Sequence, residues 1–212
     1  MNASYEEHPF PSFYNGETEY LIVGSFPPIK LTKKVYSDDE LKGKYESYLK
    51  NNLFNKEKDI DFYYGSSDNY FWPILRTLYK EELSNATEIK SFLESKNIGI
   101  TDLFEKCKRK IRGNKIDSSD STLCVLEKRD LRPIFNECTK LRKVYLTSKW
   151  VYKKFIKSYP GVNYELIILE SPSGQFDRTI GKIDEYKRLK SENGGYNAFS
   201  YRIDKYSAKL PK

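Results

Sequence analysis

The sequence predicts an α/β fold, a three-layer α/β/α sandwich in which helices cover both faces of a central, mostly parallel, four-stranded sheet. Two observations predict it. Four short segments are apolar at consecutive positions, as in strands that are buried on both faces. Helix-like segments alternate with them along the chain, as in a sheet built with helical crossovers. The length of 212 residues suits one domain. We therefore expect a single domain over residues 1–212, with residues 1–17 as a flexible N-terminal segment.

The four expected strands are short runs bounded by Gly, Pro, Ser or charged residues. They are Tyr20–Gly24, 98–103, 144–147 and 165–169.

The segments between these strands carry apolar residues at helical spacing. In residues 69–83, for example, Phe71, Trp72 and Leu75 fall on one face. Pro133 lies inside another such segment, where we expect it to kink or divide the helix. The expected helices are 38–52, 69–83, Ala86–Ser95, 123–140, 149–159 and 180–193. We expect residues 106–120 to form a surface loop and residues 198–203 to form an edge strand.

Composition narrows the classes of function. Lys and Arg number 37 against 30 acidic residues, a net charge of +7, and aromatic residues make up 15% of the chain. This balance is compatible with a nucleic-acid partner, in which aromatic rings stack on bases and cations meet phosphates. No apolar run approaches the ~20 residues of a membrane span, and the N-terminus lacks the features of a signal peptide. We expect a cytoplasmic monomer.

Few residues are suited to metal binding or to histidine catalysis. Cys107, Cys124 and Cys138 have no CxxC spacing, so we expect three reduced, mostly buried thiols and no metal site. The single histidine, His8, lies in the expected flexible segment. Acid–base chemistry is therefore expected from Asp, Glu, Tyr, Lys or a positioned water rather than from a histidine base.

The carboxyl ends of the strands are where an open parallel sheet binds ligands. The segments that follow the four expected strands are 25–28, 102–106, 148–150 and 171–175.

Three polar or aromatic turns occupy or adjoin these positions. A Gly/Pro turn at 24–28 presents rigid backbone groups, or is merely a turn. In residues 62–73, Tyr63 and Tyr64 could stack on a base and Asn69 could hydrogen-bond its edge, while Asp68 fits a helix N-cap. The Ser/Pro/Gly turn at 170–175 is of a kind that holds phosphates, or else caps the next helix.

The order of these motifs resembles the uracil-DNA glycosylase superfamily, most closely its hypoxanthine-DNA glycosylase and mismatch-specific branches. The matching pieces are GSFPP at 24–28, NYFW at 69–72, GITDL at 99–103 and SPSG at 171–174. The resemblance spans about residues 20–205. It implies the fold of that superfamily.

The resemblance also implies a role for each matching residue. Ser25 and Phe26 would line the base pocket, with Gly24 and Pro27 of the same turn. Tyr64 would stack on the flipped base. Asn69 would be the catalytic or base-positioning carboxamide. The residues expected to contact DNA are Ser171, Pro172, Ser173 and Gly174, with Ser148 and Lys149 after the third strand.

Asp102, at the end of the second strand, is a further candidate for the catalytic site, and its other interpretation is a helix N-cap. The expected activity is monofunctional hydrolysis of the bond between the sugar and a flipped deaminated base, hypoxanthine, uracil or xanthine, in DNA that contains a damaged or mismatched base. This chemistry needs no metal and no organic cofactor.

The sequence departs from the superfamily pattern at Phe26, where many members carry Asn or Asp to place a water. This departure leaves open a non-catalytic nucleic-acid-binding module that retains the fold. An enzyme acting on free nucleosides is a third hypothesis. A lysine that forms a Schiff base is a rival mechanism for the glycosylase.

Overall fold

The computed structural model describes residues 4–36, 39–50, 53–112, 115–117 and 119–211. The strands in these ranges are β1 (Tyr5–Glu7), β2 (Tyr20–Gly24), β3 (Lys33–Val35), β4 (Ile98–Asp102), β5 (Phe104–Lys108), β6 (Ile111–Arg112), β7 (Lys115–Ile116), β8 (Cys124–Lys128), β9 (Lys143–Leu146) and β10 (Glu165–Ile168). The α-helices are α1 (Asp39–Leu49), α2 (Phe71–Tyr79), α3 (Ala86–Ser95), α4 (Arg132–Glu137), α5 (Lys149–Ser158), α6 (Asp184–Glu192) and α7 (Ala198–Ser207). Short 3₁₀ helices span Asp120–Thr122, Gly174–Arg178 and Ile180–Lys182.

A four-stranded parallel sheet forms the centre of the fold, in the order β10-β9-β2-β4. Side chains alternate between its faces. Ile22 and Tyr145 pack with α2, α3 and α7 on one face, whereas Val23 and Leu146 pack with α4 and α5 on the other. Helices therefore cover both faces, and the predicted α/β class is confirmed. All four predicted strands are present, with ends within one residue of those expected.

A second four-stranded sheet, which the sequence did not predict, is antiparallel and has the order β3-β1-β5-β8. It corrects two expectations. Residues 106–120 are not one surface loop, because β5 and the β6-β7 hairpin lie there, and residues 123–140 are not one helix, because β8 precedes α4. Pro133 lies in the first turn of α4, where its missing N–H is tolerated, so it begins this helix rather than kinking it.

The N-terminal segment is packed into this second sheet rather than flexible over its described residues. Strand β1 pairs with both β3 and β5. Further along, Phe13 and Ile100 exchange backbone hydrogen bonds of 3.0 and 2.8 Å, which attaches the segment to the edge of the parallel sheet. Residues 1–3 lie outside the described residues. The single domain over residues 1–212 stays a prediction.

The predicted edge strand at residues 198–203 is wrong, because these residues begin helix α7. Asn197 caps the helix by accepting hydrogen bonds from the backbone N–H groups of Phe199 and Ser200 at 2.9 and 3.0 Å. Two of the aromatic residues that favoured a strand, Tyr201 and Tyr206, are instead buried as parts of this helix.

Three other helices are shorter than expected. Helix α2 ends at Tyr79, because Lys80 adopts a left-handed backbone conformation with φ of +56°. Residues 180–193 divide into a 3₁₀ turn and α6. Helix α1 lies within the expected 38–52, of which residues 38, 51 and 52 are outside the described part of the chain.

Among the described residues, no helix is long and apolar enough to cross a bilayer. The same residues hold no group of three or more His, Cys, Asp or Glu side chains arranged to bind a metal ion. The three cysteines are free thiols; Cys107 and Cys138 are buried and Cys124 is exposed.

Candidate functional site

A cleft of about 710 Å³ opens at the carboxyl ends of the parallel strands, within the size range of ligand sites. The chain leaves β2 toward β4 on one side and leaves β9 toward β10 on the other. The strand order therefore reverses between β2 and β9, and ligands bind at such a reversal in open parallel sheets. Residues from all four predicted strand-end segments line this cleft: 25–28, 102, 148, 150 and 171–175.

The turn after β2 forms one wall of the cleft. Ser25 and Phe26 are buried, and Ser25 Oγ donates a 2.8 Å hydrogen bond to Asp120 Oδ1. The carbonyl of Pro27 accepts a 2.6 Å hydrogen bond from Arg109, whose guanidinium also pairs with buried Glu6 at 3.0 Å. This buried ion pair fixes the backbone of the turn, so the wall is rigid.

Gly24, at the end of β2, lies beneath the cleft and is not one of the described residues that line it. A Cβ atom at this position would overlap the Tyr64 hydroxyl and Asp102 Oδ1. Glycine is therefore required for these two polar groups to approach the strand.

Tyr64 enters the cleft from a strained turn. Its φ is +55°, a conformation that side-chain-bearing residues rarely adopt and that occurs often at functional sites. Its ring packs at 4.6 Å, centroid to centroid, on Phe71, and its hydroxyl lies 3.5 Å from Thr147 Oγ1. Burial, with the nearby Asp102 carboxylate, raises the pKa of the Tyr64 hydroxyl well above its usual value. Tyr64 is therefore a neutral hydrogen-bonding group at physiological pH.

Asn69 lies where the turn before α2 meets the loop after β10. Its Oδ1 accepts a 2.9 Å hydrogen bond from the N–H of Phe71, which sets the orientation of the carboxamide. Asn69 forms an isolated antiparallel bridge with Ser173. The flanking bonds are Tyr70 N–H to the Pro172 carbonyl at 2.8 Å and Gly174 N–H to the Asp68 carbonyl at 3.2 Å. The structure thus joins two motifs that lie about a hundred residues apart in the sequence.

The loop over residues 171–174 is held from below by Arg202, whose side chain is fully buried. Its guanidinium donates hydrogen bonds to the carbonyls of Ser171 at 3.0 Å and Ser173 at 2.9 Å. It also pairs with Asp177 at 2.7 Å, and the rings of Tyr70 and Phe176 flank it with centroids 4.8 and 4.9 Å away. Arg202 therefore fixes the shape of the loop without reaching solvent itself.

The two expected DNA-contacting residues after β9 differ in position. Ser148 lines the cleft, but its Oγ accepts a 3.1 Å hydrogen bond from Val151 N–H and so caps α5. Lys149 is exposed on the first turn of α5, and it is not one of the described residues that line the cleft.

Asp120 is a cleft residue that the sequence analysis missed, because it lies in the Ser/Asp-rich stretch interpreted as a loop. Burial raises the pKa of its carboxyl group, the Asp102 charge adds to this, and the hydrogen bond from Ser25 and the charge of Arg109 oppose it. In the sequence, the one local indication of a role for Asp120 is that small polar residues flank its carboxyl group.

His8 was also missed, because its place near the N-terminus suggested mobility. Its side chain is fully buried, and its Nε2 lies 2.9 Å from Asp102 Oδ2. Asp102 is buried at the end of β4 and lines the cleft. The apolar residues that follow His8, Phe10 and Phe13, were the signal that this segment is packed.

Cations at the cleft are few and mostly paired. Arg109 is bound to Glu6, and Lys30 pairs with Asp59 at 2.7 Å. Arg178 is exposed at the rim, and no ion pair to it is found within the described ranges. Arg178 is thus the cleft cation best placed to meet a phosphate.

No protein-family model matches this chain, and a comparison with curated proteins gives no match. Among solved structures, the chain is similar to the solution NMR structure of "a putative Uracil DNA glycosylase from Methanosarcina acetivorans". The identity is 22%, the TM-score is 0.49, and the similarity covers 94% of this chain and 99% of that chain. At this level the likeness does not by itself assign the chain to a family.

Proposed function

We propose that this protein is a monofunctional DNA glycosylase of the uracil-DNA glycosylase superfamily, closest to its hypoxanthine-DNA and mismatch-specific branches. It would hydrolyse the bond between the sugar and a flipped deaminated base. One observation carries the proposal: residues 68–70 pair with residues 172–174 at the mouth of the cleft. A carboxamide suited to reading a base and a loop suited to holding phosphates are thereby parts of one rigid unit.

Asn69 would act on the base. Its Oδ1 already accepts the Phe71 N–H, so its NH₂ group and one remaining lone pair of Oδ1 are left to bind a ligand. An NH₂ donor fits a carbonyl oxygen, which hypoxanthine, uracil and xanthine all carry. As the bond to the sugar breaks, negative charge grows on the leaving base, and a donor fixed in advance stabilises this charge.

The walls of the cleft suit a flat aromatic ligand. Phe26 and Tyr64 supply aromatic surface, and Ser25 and Asp120 supply polar groups at its edge. Extrusion of a base costs a few kcal/mol and is cheapest for a mispaired base, which favours damaged sites. In this proposal the Ser171–Gly174 loop grips the backbone and fills the gap left in the duplex.

The surroundings of the cleft lysine support hydrolysis by water rather than a Schiff base. Lys30 is the one lysine among the described residues that line the cleft. It is largely buried against Asp59, with Asp68 3.5 Å away. Both carboxylates hold the amine in ion pairs, so it is not free to attack the sugar. Treatment with borohydride during turnover should trap no protein–DNA adduct; a trapped adduct would establish the lysine mechanism instead.

The test of the proposed function is a gel assay on labelled duplexes that contain uracil, hypoxanthine or xanthine, followed by alkaline cleavage of abasic sites. The wild type should excise at least one of these bases. Asn69→Ala should lower the rate by roughly 10²–10³, the usual cost of one transition-state donor. Lys187→Ala, an exposed change on α6, is the control and should leave the rate unchanged.

A non-catalytic DNA-binding module is the second candidate, and Phe26 favours it. This side chain is only 7% exposed and cannot place a water at the first motif. The module would bind duplexes with an affinity that falls steeply with salt. It would yield no abasic product from the duplexes that contain uracil, hypoxanthine or xanthine. Turnover of free nucleosides without DNA affinity would instead indicate a nucleoside hydrolase.

A further inference from the structure

The histidine near the N-terminus has a defined tautomer. The N–H of Phe10 donates a 3.1 Å hydrogen bond to His8 Nδ1, so this nitrogen carries no proton. The ring proton therefore resides on Nε2, which donates to Asp102 Oδ2 at 2.9 Å. Because the side chain is fully buried among Phe10, Phe26 and Tyr63, the ring cannot turn away.

The second oxygen of the same carboxylate is in a different situation. Asp102 Oδ1 is buried and has no hydrogen-bond partner among the described residues. Asp102 lines the cleft, and the absence of a side chain at Gly24 leaves the space that Oδ1 occupies. A buried carboxylate oxygen without a donor is costly, so a water or ligand donor is expected at this position.

We propose that Asp102 Oδ1 binds and deprotonates the attacking water, and that His8 is the positioning residue that holds the carboxylate for this task. This inference rests on the proposed glycosylase function. The water oxygen forms a bond to the sugar C1′ as the bond from C1′ to the base nitrogen breaks. The bonding electron pair leaves with the base, and the proton of the water passes to Oδ1. The carboxylate charge also stabilises the positive charge that develops on the sugar as the bond to the base breaks.

The pair supplies what the first motif lacks. Phe26 cannot activate a water, whereas Asp102 approaches the same cleft from the end of the neighbouring strand. A purely structural His–Asp pair would have both carboxylate oxygens satisfied and would face away from the cleft. Here one oxygen is fixed by His8, and the other has no hydrogen-bond partner in the part of the chain that the structure describes.

Single-turnover excision, with enzyme in excess over a duplex that the wild type cleaves, tests the inference. Asp102→Asn and His8→Phe should each lower the maximal rate by roughly 10²-fold or more, as expected for loss of a general base. Their affinity for the same duplex should stay within about threefold of the wild type. His8→Gln keeps an N–H near Nε2 and should recover most of the rate.

Ser12→Ala is the matched control. Ser12 Oγ lies 2.7 Å from Thr101 Oγ1, so it joins the same N-terminal segment to the same strand without touching Asp102. Its rate should match the wild type. If His8→Phe does not fold, as judged by its melting curve, Asp102→Asn decides the outcome alone. Two results would overturn the inference and leave the glycosylase function intact. One is excision by Asp102→Asn at the wild-type rate, and the other is excision by His8→Gln that is as slow as excision by a folded His8→Phe protein. No excision by the wild type would remove both.

Discussion

Arg202 offers the sharpest test of how the cleft is built. Replacing it with Met keeps much of the side-chain volume and removes the charge. Two charge-assisted hydrogen bonds to the carbonyls of Ser171 and Ser173 are lost, each worth about 1.5–3 kcal/mol. Asp177 is 37% exposed and can be rehydrated, so its ion pair adds little. The two carbonyls can also regain water, and a loss near the lower end of the sum, about 3 kcal/mol, is expected.

For a chain of this size, about 3 kcal/mol corresponds to a fall in Tm of roughly 6–12 °C. Thermal unfolding followed by circular dichroism measures it. Arg188→Met is the matched control, because Arg188 makes an exposed ion pair with Glu192 on α6 and should cost less than about 0.5 kcal/mol.

The salt dependence of DNA binding distinguishes a residue that supports the loop from one that contacts a phosphate. Arg202 is fully buried, so Arg202→Met should weaken binding without changing the slope of log affinity against log salt. Arg178→Ala, at the exposed rim, should reduce that slope by about one. An Arg202→Met protein with unchanged Tm and unchanged affinity would refute the argument that this residue shapes the loop.

Three further predictions concern Gly24 and two acidic residues, Asp59 and Asp120. Gly24→Ala should lower the excision rate more than tenfold in the gel assay, because the new methyl group displaces the Tyr64 hydroxyl or Asp102; a wild-type rate would contradict the packing argument. Burial opposes ionisation of Asp59, but hydrogen bonds from Asn55, Lys30 and Ser67 outweigh it and lower its pKa to about 2. The stabilising contribution of the ionised Asp59 should therefore be present above pH ~4 and be lost as the pH falls toward 2. Asp59→Asn should flatten this part of the acid unfolding curve. A variant curve like that of the wild type would contradict this assignment. Burial raises the pKa of Asp120 in the folded state, so its ionisation should destabilise the protein as the pH rises. Asp120→Asn should then melt higher than the wild type at pH 8, with the difference closing toward pH 4; equal melting at both pH values would show that burial has no such effect.

The parallel sheet could be predicted from the sequence because its strands are buried on both faces. Leu21, Ile22 and Val23 are apolar in succession, a pattern that needs no knowledge of the partner strands. The antiparallel sheet could not be predicted in this way. In β8, Val125 is half-buried among exposed neighbours, and its pairing with Cys107 depends on contacts that local polarity does not reveal.

Helix α7 shows a different limit of sequence reasoning. Its aromatic residues favour strands as isolated side chains, yet Tyr201 and Tyr206 pack into two separate clusters that only the folded chain provides. Tertiary contacts therefore outweigh local propensity here.

The parts of the candidate site that lie in motifs near the ends of strands could be predicted from the sequence. The parts contributed by segments distant in the sequence could not. Ser25, Asn69 and Ser171 follow from the order of the motifs and from the rule that parallel strands present their carboxyl ends at one edge. Asp120 lines the cleft from a 3₁₀ turn that precedes β8, and His8, just after β1, contacts the cleft residue Asp102. Since that sheet was not predicted, neither residue could be placed in the site.

The proposed function requires this cleft to release a base from DNA by hydrolysis. The most direct measurement is chromatography of the products from a duplex that carries one hypoxanthine, uracil or xanthine. Free base and an abasic strand of unbroken backbone should appear in equal amounts from at least one duplex. An unchanged strand from all three duplexes, with no free base released, would contradict the proposed function.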